Sequence, residues 1–172
     1  LSKNPAAIDL LKVNLDKVHW YELSSNPEAM ELLITNLDKI CWNNLSSNPN
    51  AINFIEQYLN DPIVCKKLDW DILSTNPNAL PILLKYPYMI NWPRFSKNPA
   101  AMSILENTMC YIDWVYLSEN SAAIDFLTAN PIAIDVESLC SNPNGIPLLL
   151  EYGDINNYDW DGISMNPSAI DI

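Results

Sequence analysis

The sequence predicts an all-α solenoid, and three repeating features predict it. The pattern Leu-Ser-x-Asn-Pro-x-Ala-Ile-x-Leu-Leu recurs at spacings of 22, 22, 28, 22, 22, 22 and 24 residues, and Asn-Pro pairs and tryptophans recur with it. A short fixed period is typical of stacked repeats, in which each repeat buries its apolar face against its neighbours. The repeats, numbered 1 to 8 here, begin at Leu1, Leu23, Leu45, Leu73, Phe95, Leu117, Leu139 and Ile163.

Three columns of recurring residues define the structural repeat. Six tryptophans each lie three residues before the next repeat: Trp20, Trp42, Trp70, Trp92, Trp114 and Trp160. Seven Asn-Pro pairs are Asn4-Pro5, Asn26-Pro27, Asn48-Pro49, Asn76-Pro77, Asn98-Pro99, Asn142-Pro143 and Asn166-Pro167. An alanine column follows each pair. Ser121, Val136 and Gly145 depart from the proline, tryptophan and alanine columns, and Gly145 predicts a close helix contact in repeat 7.

Each Asn-Pro pair predicts the start of a main helix. Asn is a strong N-cap, and Pro is favoured at the first helical position because its missing N–H has no partner there. After Pro5 the apolar residues fall at spacings of three and four, as in a helix buried on one side, and Asn14 closes the pattern. We therefore expect a main helix of about nine or ten residues in each repeat.

A second, shorter helix is expected around the tryptophan column. An acidic residue precedes that column at Asp69, Asp113, Asp135 and Asp159. Such a residue can cap the first turn of a helix that leads into the next Leu-Ser. We expect this helix to have one or two turns.

A leucine-rich-repeat-like solenoid is the alternative fold, because its period also lies in the low twenties. The repeat has no stretch in which apolar and polar residues alternate over four or more positions, as a half-buried strand requires. The Asn is followed by Pro, which suits a helix start better than a strand. The pattern therefore favours paired short helices.

The domain organisation follows from the repeats. They extend over residues 1–172, so the sequence predicts a single repeat solenoid. Neither end carries a polar capping repeat of the kind that solenoids need for solubility. We therefore expect the chain to be a segment of a longer protein, or a protein whose ends are covered by partners.

Composition excludes several classes of partner and ligand. The net charge of −12 with only nine Lys and Arg argues against nucleic acid, whose phosphates require a basic face. The acidic residues occupy variable positions, which indicates a solvated surface. The four cysteines occupy four different repeat positions and are expected to be free thiols, and no apolar run approaches 18 residues. We predict no cofactor, no metal and no membrane insertion.

Catalysis has little support in the sequence. The best carboxylate pairs, Asp69 with Asp71 and Asp159 with Asp161, each flank a tryptophan. The first member of each pair is the expected helix cap, and a uniform stack implies no cleft beside them. No nucleophile with a base, Gly-rich phosphate loop or metal triad accompanies them. The chain is therefore predicted not to be an enzyme.

Six residues are candidate protein contacts: Tyr58, Lys66, Lys67, Tyr21, Tyr88 and Tyr116. The first three belong to the six-residue excess of repeat 3, in residues 58–67, which we expect to lengthen the connection between two helices. Insertions in solenoids often lie on the binding face, although a harmless extra turn is an equal alternative. The other three are tyrosines in variable positions, and tyrosine is enriched at interfaces. Packing between repeats is their alternative role.

The repeats resemble the Asn-Pro-rich short repeats of proteins encoded by large DNA viruses of algae and amoebae. The resemblance lies in the repeat pattern with its following Ile-x-Trp, as in residues 23–42 and 95–114, and it covers the whole chain. It implies a viral source and an interaction role, and it assigns no functional residue.

Two functions are compatible with this resemblance. The first is a structural scaffold in the virion, as a minor capsid or internal component that contacts capsid or other virion subunits. The alternative is a soluble, ankyrin-like adaptor that binds a host protein in the cytoplasm of the infected cell. The sequence leaves the oligomeric state open.

Overall fold

A computed structural model describes residues 1–169 and shows an all-α repeat fold. Those residues form α-helices and 3-10 turns and contain no strand. The predicted fold class is confirmed, and the leucine-rich-repeat-like alternative is wrong. The chain packs as two compact units, an N-terminal unit, Leu1–Ile90, and a C-terminal unit, Asn91–Ile172.

The N-terminal unit contains eight short α-helices and seven 3-10 turns. The α-helices are α1 (Ile8–Lys12), α2 (Trp20–Ser24), α3 (Met30–Ile34), α4 (Trp42–Leu45), α5 (Ile52–Tyr58), α6 (Pro62–Lys67), α7 (Trp70–Thr75) and α8 (Leu80–Lys85). The 3-10 turns are Pro5–Ala7, Leu15–Lys17, Pro27–Ala29, Leu37–Lys39, Pro49–Ala51, together with Pro77–Ala79; a further turn, Pro87–Met89, closes the unit.

The described part of the C-terminal unit follows the same plan. Its α-helices are α9 (Trp92–Ser96), α10 (Met102–Leu105), α11 (Trp114–Ser118), α12 (Ile124–Thr128), α13 (Val136–Leu139), α14 (Ile146–Tyr152) and α15 (Trp160–Met165). Its 3-10 turns are Pro99–Ala101, Met109–Tyr111, Pro131–Ala133, Ile155–Asn157 and Pro167–Ala169.

The main helix of repeats 1 to 5 begins as a 3-10 turn, whereas α12 and α14 of repeats 6 and 7 have no 3-10 turn before them. In repeat 2 the amide of Ala29 donates to the carbonyl of Asn26, three residues back, at 3.1 Å, while the Asn26 side chain accepts from the Glu28 amide. This closes a tight first turn before α3 takes over. Helical structure, turn included, spans eight residues in repeats 1 and 2, and it reaches the predicted length in repeat 3 (ten residues) and repeat 4 (nine). A second 3-10 turn, which the sequence did not predict, follows the main helix in repeats 1, 2 and 4 to 7.

Side chains close the helices as the sequence predicts. Asn14 Nδ2 donates to the Leu10 carbonyl at 2.9 Å, and Asn36 Nδ2 donates to the Leu32 carbonyl at 2.8 Å. At the second helix, Asp69 Oδ1 accepts from the Ile72 amide at 2.9 Å, which is the expected N-cap. Both groups of bonds satisfy backbone groups that a short helix leaves unpaired.

The core lies along the first residue and the alanine of each repeat. Leu23, Leu45 and Ala51 are inaccessible to solvent, and the first residues of repeats 4 to 8 are at most 6% exposed. Gly145 replaces the alanine in repeat 7, where an added Cβ would lie 2.7 Å from the Leu139 carbonyl oxygen. The close contact predicted at this glycine is confirmed.

The excess residues of repeat 3 form a helix. Asp61 caps α6 by accepting from the Ile63 amide at 2.8 Å, and Pro62 occupies its first turn. Val64 and Leu68 are buried beneath it. The expected lengthened connection therefore has secondary structure of its own, because Asp-Pro supplies the same helix-start chemistry as Asn-Pro.

Candidate functional site

The tryptophan column lies at the boundary between the core and the surface. Trp42 stacks on Phe54 of the next repeat with ring centroids 5.8 Å apart and planes inclined by 7°, and Trp114 stacks on Phe126 at 5.8 Å and 10°. Both tryptophans are half-buried. Stacked aromatic pairs stabilise beyond the area they bury, so the column holds consecutive repeats together.

The asparagine column forms a buried ladder inside each unit. Asn48 Nδ2 donates to the carbonyls of Ser24, at 3.2 Å, and Asn26, at 2.8 Å, in the preceding repeat. Asn142 Nδ2 donates in the same way to the carbonyls of Ser118 and Asn120, both at 2.8 Å. Because these carbonyls are buried, the asparagine amides satisfy groups that would otherwise be costly.

The serine column adds a second buried link between repeats. Ser24 Oγ donates to the Trp20 carbonyl at 2.8 Å and accepts from the Cys41 amide at 3.0 Å. Ser118 Oγ likewise donates to the Trp114 carbonyl and accepts from the Asp135 amide. Serine and asparagine together fix the register of the stack.

The sequence analysis interpreted the asparagines only as helix caps and gave the serines no role. The signal was present, because a polar residue that recurs in the same position beside buried leucine and alanine needs internal partners. The recurring asparagines and serines of the repeat are thus used in stacking.

Charge separates the two units. Residues 1–90 contain seven Lys and ten Asp or Glu, a net charge of −3. Residues 91–172 contain Arg94, Lys97 and eleven Asp or Glu, a net charge of −9, and no basic residue follows Lys97. The variable positions of the acidic residues predicted a solvated surface, and a count by halves adds this asymmetry to it.

Ion pairs follow the same division. In the N-terminal unit, five lysines pair with carboxylates: Lys3 with Glu22, Lys12 with Glu31, Lys17 with Asp16, Lys39 with Asp38, and Lys85 with Glu56, over 2.8 to 3.4 Å. The hydrogen bond from Lys12 lowers the pKa of Glu31 and raises that of Lys12. Within the described part of the C-terminal unit, Lys97 with Glu119 is the single pair. Most carboxylates there have no cation beside them.

A shallow groove of about 690 Å³ lies in the C-terminal unit beside the first turns of α13 and α15. We name it the acidic groove. Four carboxylates and two aromatic rings line it: Asp135, Glu137, Asp159, Asp161, Tyr158 and Trp160.

The carboxylates of the acidic groove divide into two types. Asp135 Oδ1 accepts from the Ser138 amide at 2.8 Å, and Asp159 Oδ1 accepts from the Asp161 amide at 3.1 Å, so both are helix caps. Glu137 and Asp161 are exposed, and neither forms an ion pair within the described residues. Four negative charges thus border the groove without a basic residue to neutralise them.

The acidic groove coincides with two departures from the repeat pattern. Val136 stands where other repeats have tryptophan, and it lines the groove. Repeat 7 is two residues longer than most, and Asn156 and Asn157 of its second 3-10 turn also line the groove. The expectation that no cleft lies beside the Asp159 and Asp161 pair is therefore wrong, because it assumed a uniform stack.

The structure places the predicted contacts of repeat 3 on two elements. Tyr58 is half-buried at the end of α5, where its ring packs 5.3 Å from Trp42 and 4.9 Å from Phe54. Lys66 and Lys67 are exposed in the last turn of α6. Tyr58 therefore packs against aromatic rings of its own and the preceding repeat, a role that the sequence did not predict for it.

The other three predicted contacts lie in separate repeats. Tyr21 and Tyr88 are 61% and 79% exposed. Tyr116 is half-buried, and the Arg94 guanidinium carbon lies 5.4 Å from its ring centroid. Within residues 1–169, no hydrogen bond, ion pair or ring contact joins any two of the six candidates, and none of them lines the acidic groove.

The cysteines are free thiols, as predicted. Cys140 replaces the buried serine of repeat 7, and its Sγ donates to the Val136 carbonyl at 3.2 Å. Burial raises the pKa of the Cys140 thiol, which disfavours the nucleophilic thiolate. Among the described residues, no group of three or more His, Cys, Asp or Glu is arranged to hold a metal ion. No helix in that part of the chain has the length and apolarity needed to cross a membrane.

Comparisons with protein-family models, curated proteins and solved structures found no match.

Proposed function

We propose that this chain is a non-enzymatic scaffold that binds other proteins through the variable positions of its repeats. The observation that carries the proposal is the buried ladder, in which Asn48, Asn142 and the serines beside them are committed to joining neighbouring repeats. A stack with a fixed register displays its variable side chains at regular positions. Extended surfaces of this kind are suited to binding macromolecules.

The proposed place of action is the virion of a large DNA virus, where the chain is a minor capsid or internal component. The resemblance of its repeats to those of viral Asn-Pro-rich proteins supports this placement. The host-directed adaptor is the competing outcome of the same experiment. Either function requires a stoichiometric protein partner.

Cross-linking mass spectrometry of the protein in fractionated particles and infected-cell cytosol tests this proposal. Lysine-reactive and carboxyl-reactive reagents are both needed, because Lys97 is the last basic residue of the chain. We expect stoichiometric recovery with the particle shell and cross-links from exposed variable residues, such as Lys66 and Glu137, to one or a few partners.

Two results decide against parts of the proposal. Recovery only in the cytosol with cross-links to a host protein would replace the virion component with the adaptor. Recovery of a monomer with no cross-linked partner in either fraction would contradict the scaffold function itself. Matched heat-denatured samples control for non-specific cross-links.

A further inference from the structure

We propose that Met30 and Met102 are sites of reversible oxidation to methionine sulfoxide, and that this modification weakens the stack where they lie. The proposal goes beyond the scaffold function and does not depend on it, because it concerns the contacts between neighbouring repeats. Two observations support it. The sulfur of each methionine contacts an asparagine of the buried ladder, and that asparagine has no N–H group to spare.

The same sulfur contact occurs once in each unit. Met30 Sδ lies 3.7 Å from Asn48 Nδ2 in the N-terminal unit, and Met102 Sδ lies 3.6 Å from Asn120 Nδ2 in the C-terminal unit. Both asparagines are fully buried, and both methionines are half-buried. A small oxidant in water can therefore reach the methionines, while the asparagines that they touch belong to the core.

Methionine is the exception in its column of the repeat. Other repeats have isoleucine or leucine there, at Ile8, Ile52, Leu80, Ile124 and Ile146. Asn142 makes the same two hydrogen bonds to buried carbonyls, both at 2.8 Å, although the repeat before it has Ile124 in this column. The ladder therefore does not require a sulfur atom at this position.

Each ladder asparagine has two N–H groups and three acceptors around them. Asn48 Nδ2 donates to the carbonyls of Ser24, at 3.2 Å, and Asn26, at 2.8 Å. Asn120 Nδ2 likewise donates to two carbonyls, at 2.9 and 3.0 Å. A thioether sulfur is a weak acceptor, so the two carbonyls retain the two N–H groups while the methionine is reduced.

Oxidation changes the balance between these acceptors. Hydrogen peroxide transfers one oxygen atom to the sulfur, so an S–O bond forms, the O–O bond breaks and water leaves. The sulfur is oxidised by two electrons and the peroxide is reduced by two. The product is a polar side chain whose oxygen accepts hydrogen bonds well, and it forms beside an amide whose N–H groups are already used.

The serine carbonyl is the acceptor that the sulfoxide displaces. Ser24 and Ser96 are inaccessible to solvent, and Asn48 and Asn120 donate to their carbonyls from the next repeat. Water cannot replace a donor that is lost inside the stack, so a buried carbonyl without a partner destabilises the fold. The added oxygen also needs space beside closely packed helices.

The remaining methionines provide internal controls. Met109 and Met165 are 51% and 79% exposed, and neither contacts a ladder asparagine among the described residues. Oxidation at these positions adds an oxygen that water can solvate. It should therefore leave the stack unchanged, even though these sulfurs react first.

Hydrogen peroxide treatment of the full chain tests the proposal, with peptide mapping by mass spectrometry and urea denaturation of the same samples. The double variant Met30→Ile with Met102→Ile introduces the residue that most repeats have in this column. It retains all four cysteines, so thiol oxidation affects it and the wild-type chain alike. The matched control, Met109→Leu with Met165→Leu, removes two exposed sulfurs instead. Circular dichroism checks that each variant is folded.

We expect sulfoxide to form at Met30 and Met102 in the folded wild-type chain, more slowly than at Met165. The oxidised chain should unfold at a urea concentration lower by about 0.5–1 M, and the matched control should lose as much. The Met30→Ile, Met102→Ile variant should lose less than about a quarter of that. Methionine sulfoxide reductases specific for the two epimers should together restore the wild-type midpoint. Amide hydrogen exchange should become about tenfold faster in the repeats that Asn48 and Asn120 join.

Three results would overturn the proposal. Complete oxidation of Met165 while Met30 and Met102 stay reduced would show that the ladder methionines are not modification sites. Sulfoxide at both sites with an unchanged urea midpoint would show that they are not coupled to the ladder. An equal loss in the wild-type chain and the Met30→Ile, Met102→Ile variant would assign the effect to other residues. Each result leaves the scaffold function to its own cross-linking test.

Discussion

The two units share one internal structure and differ on their surfaces. Asn48 in the N-terminal unit and Asn142 in the C-terminal unit make the same two buried hydrogen bonds to the preceding repeat. The N-terminal unit has a net charge of −3 with most lysines paired, and the C-terminal unit has −9 with one described ion pair. Stacking and surface chemistry are therefore separable, because they use different positions of the repeat.

The largest effect should come from the ladder. Asn48→Ala and Asn142→Ala each remove a helix cap and take the asparagine donor from a buried serine carbonyl, that of Ser24 or Ser118, while the Asn26 and Asn120 carbonyls keep their backbone partners. We expect each variant to lower the free energy of unfolding by about 2–4 kcal/mol, from a cap worth about 1 kcal/mol and unpaired buried groups worth about 1–3. Urea denaturation monitored by circular dichroism measures both.

The neighbouring asparagines are matched controls for these variants. Asn50 and Asn144 are exposed, and their side chains donate to the Pro27 and Ser121 carbonyls at 3.0 and 2.9 Å. Their replacement by alanine should cost less than about 1 kcal/mol, since water can replace the lost partner. Equal losses at exposed and buried asparagines would show that burial of the ladder is not what stabilises the stack.

The alanine column provides the next largest effect. Gly145→Ala should destabilise the protein by about 1–3 kcal/mol, because the new methyl group would overlap the carbonyl and side chain of Leu139. Ala51→Gly, at the equivalent position of the N-terminal unit, should cost about 1 kcal/mol through lost packing and a more flexible unfolded chain. Thermal unfolding gives both values. A stabilising Gly145→Ala would mean that repeat 7 has room for the standard residue.

A reciprocal exchange at the serine column should have a smaller effect. Cys140→Ser restores an oxygen that can donate to the Val136 carbonyl more strongly than the thiol does. We expect a gain of about 0.5–1 kcal/mol, and a similar loss for Ser118→Cys, which weakens two good hydrogen bonds. Loss of stability in both variants would show that each repeat is adapted to its own residue.

Salt should act in opposite directions on the two units. Raising ionic strength screens repulsion among the carboxylates of the C-terminal unit and weakens pairs such as Lys12 with Glu31 in the N-terminal unit. The expected changes are a few tenths of a kcal/mol, because exposed charges interact weakly. Hydrogen exchange followed by mass spectrometry resolves the units. Parallel changes in both would contradict the charge division.

Much of the fold could be predicted from the sequence. Asn-Pro at a helix start has a local physical cause, as has Asp69 before α7, and both caps are confirmed. The 3-10 first turn could not be predicted, because the choice between 3-10 and α hydrogen bonds depends on packing against the next repeat. The helix in the insertion of repeat 3 was missed, although Asp61-Pro62 was a usable signal.

The candidate site was less predictable than the fold. The sequence shows Val136 and the greater length of repeat 7 as departures from the pattern. A groove forms there only once the repeats are stacked, because the small valine leaves open the space beside it that a tryptophan would fill. The sequence favoured exposed tyrosines and Lys66, and none of them lies at the groove. Surface concavity depends on which side chains from successive repeats meet, and a single repeat pattern does not contain that information.

Hydrogen exchange of two variants of the full chain, Asn142→Ala and the double variant Glu137→Gln with Asp161→Asn, tests the central claim most directly. We predict faster exchange in the repeats that Asn142 joins for the first variant and an unchanged exchange pattern for the second, because stacking and surface charge use different positions of the repeat. Faster exchange of the same repeats in the double variant would contradict this, because the surface carboxylates would then take part in stacking.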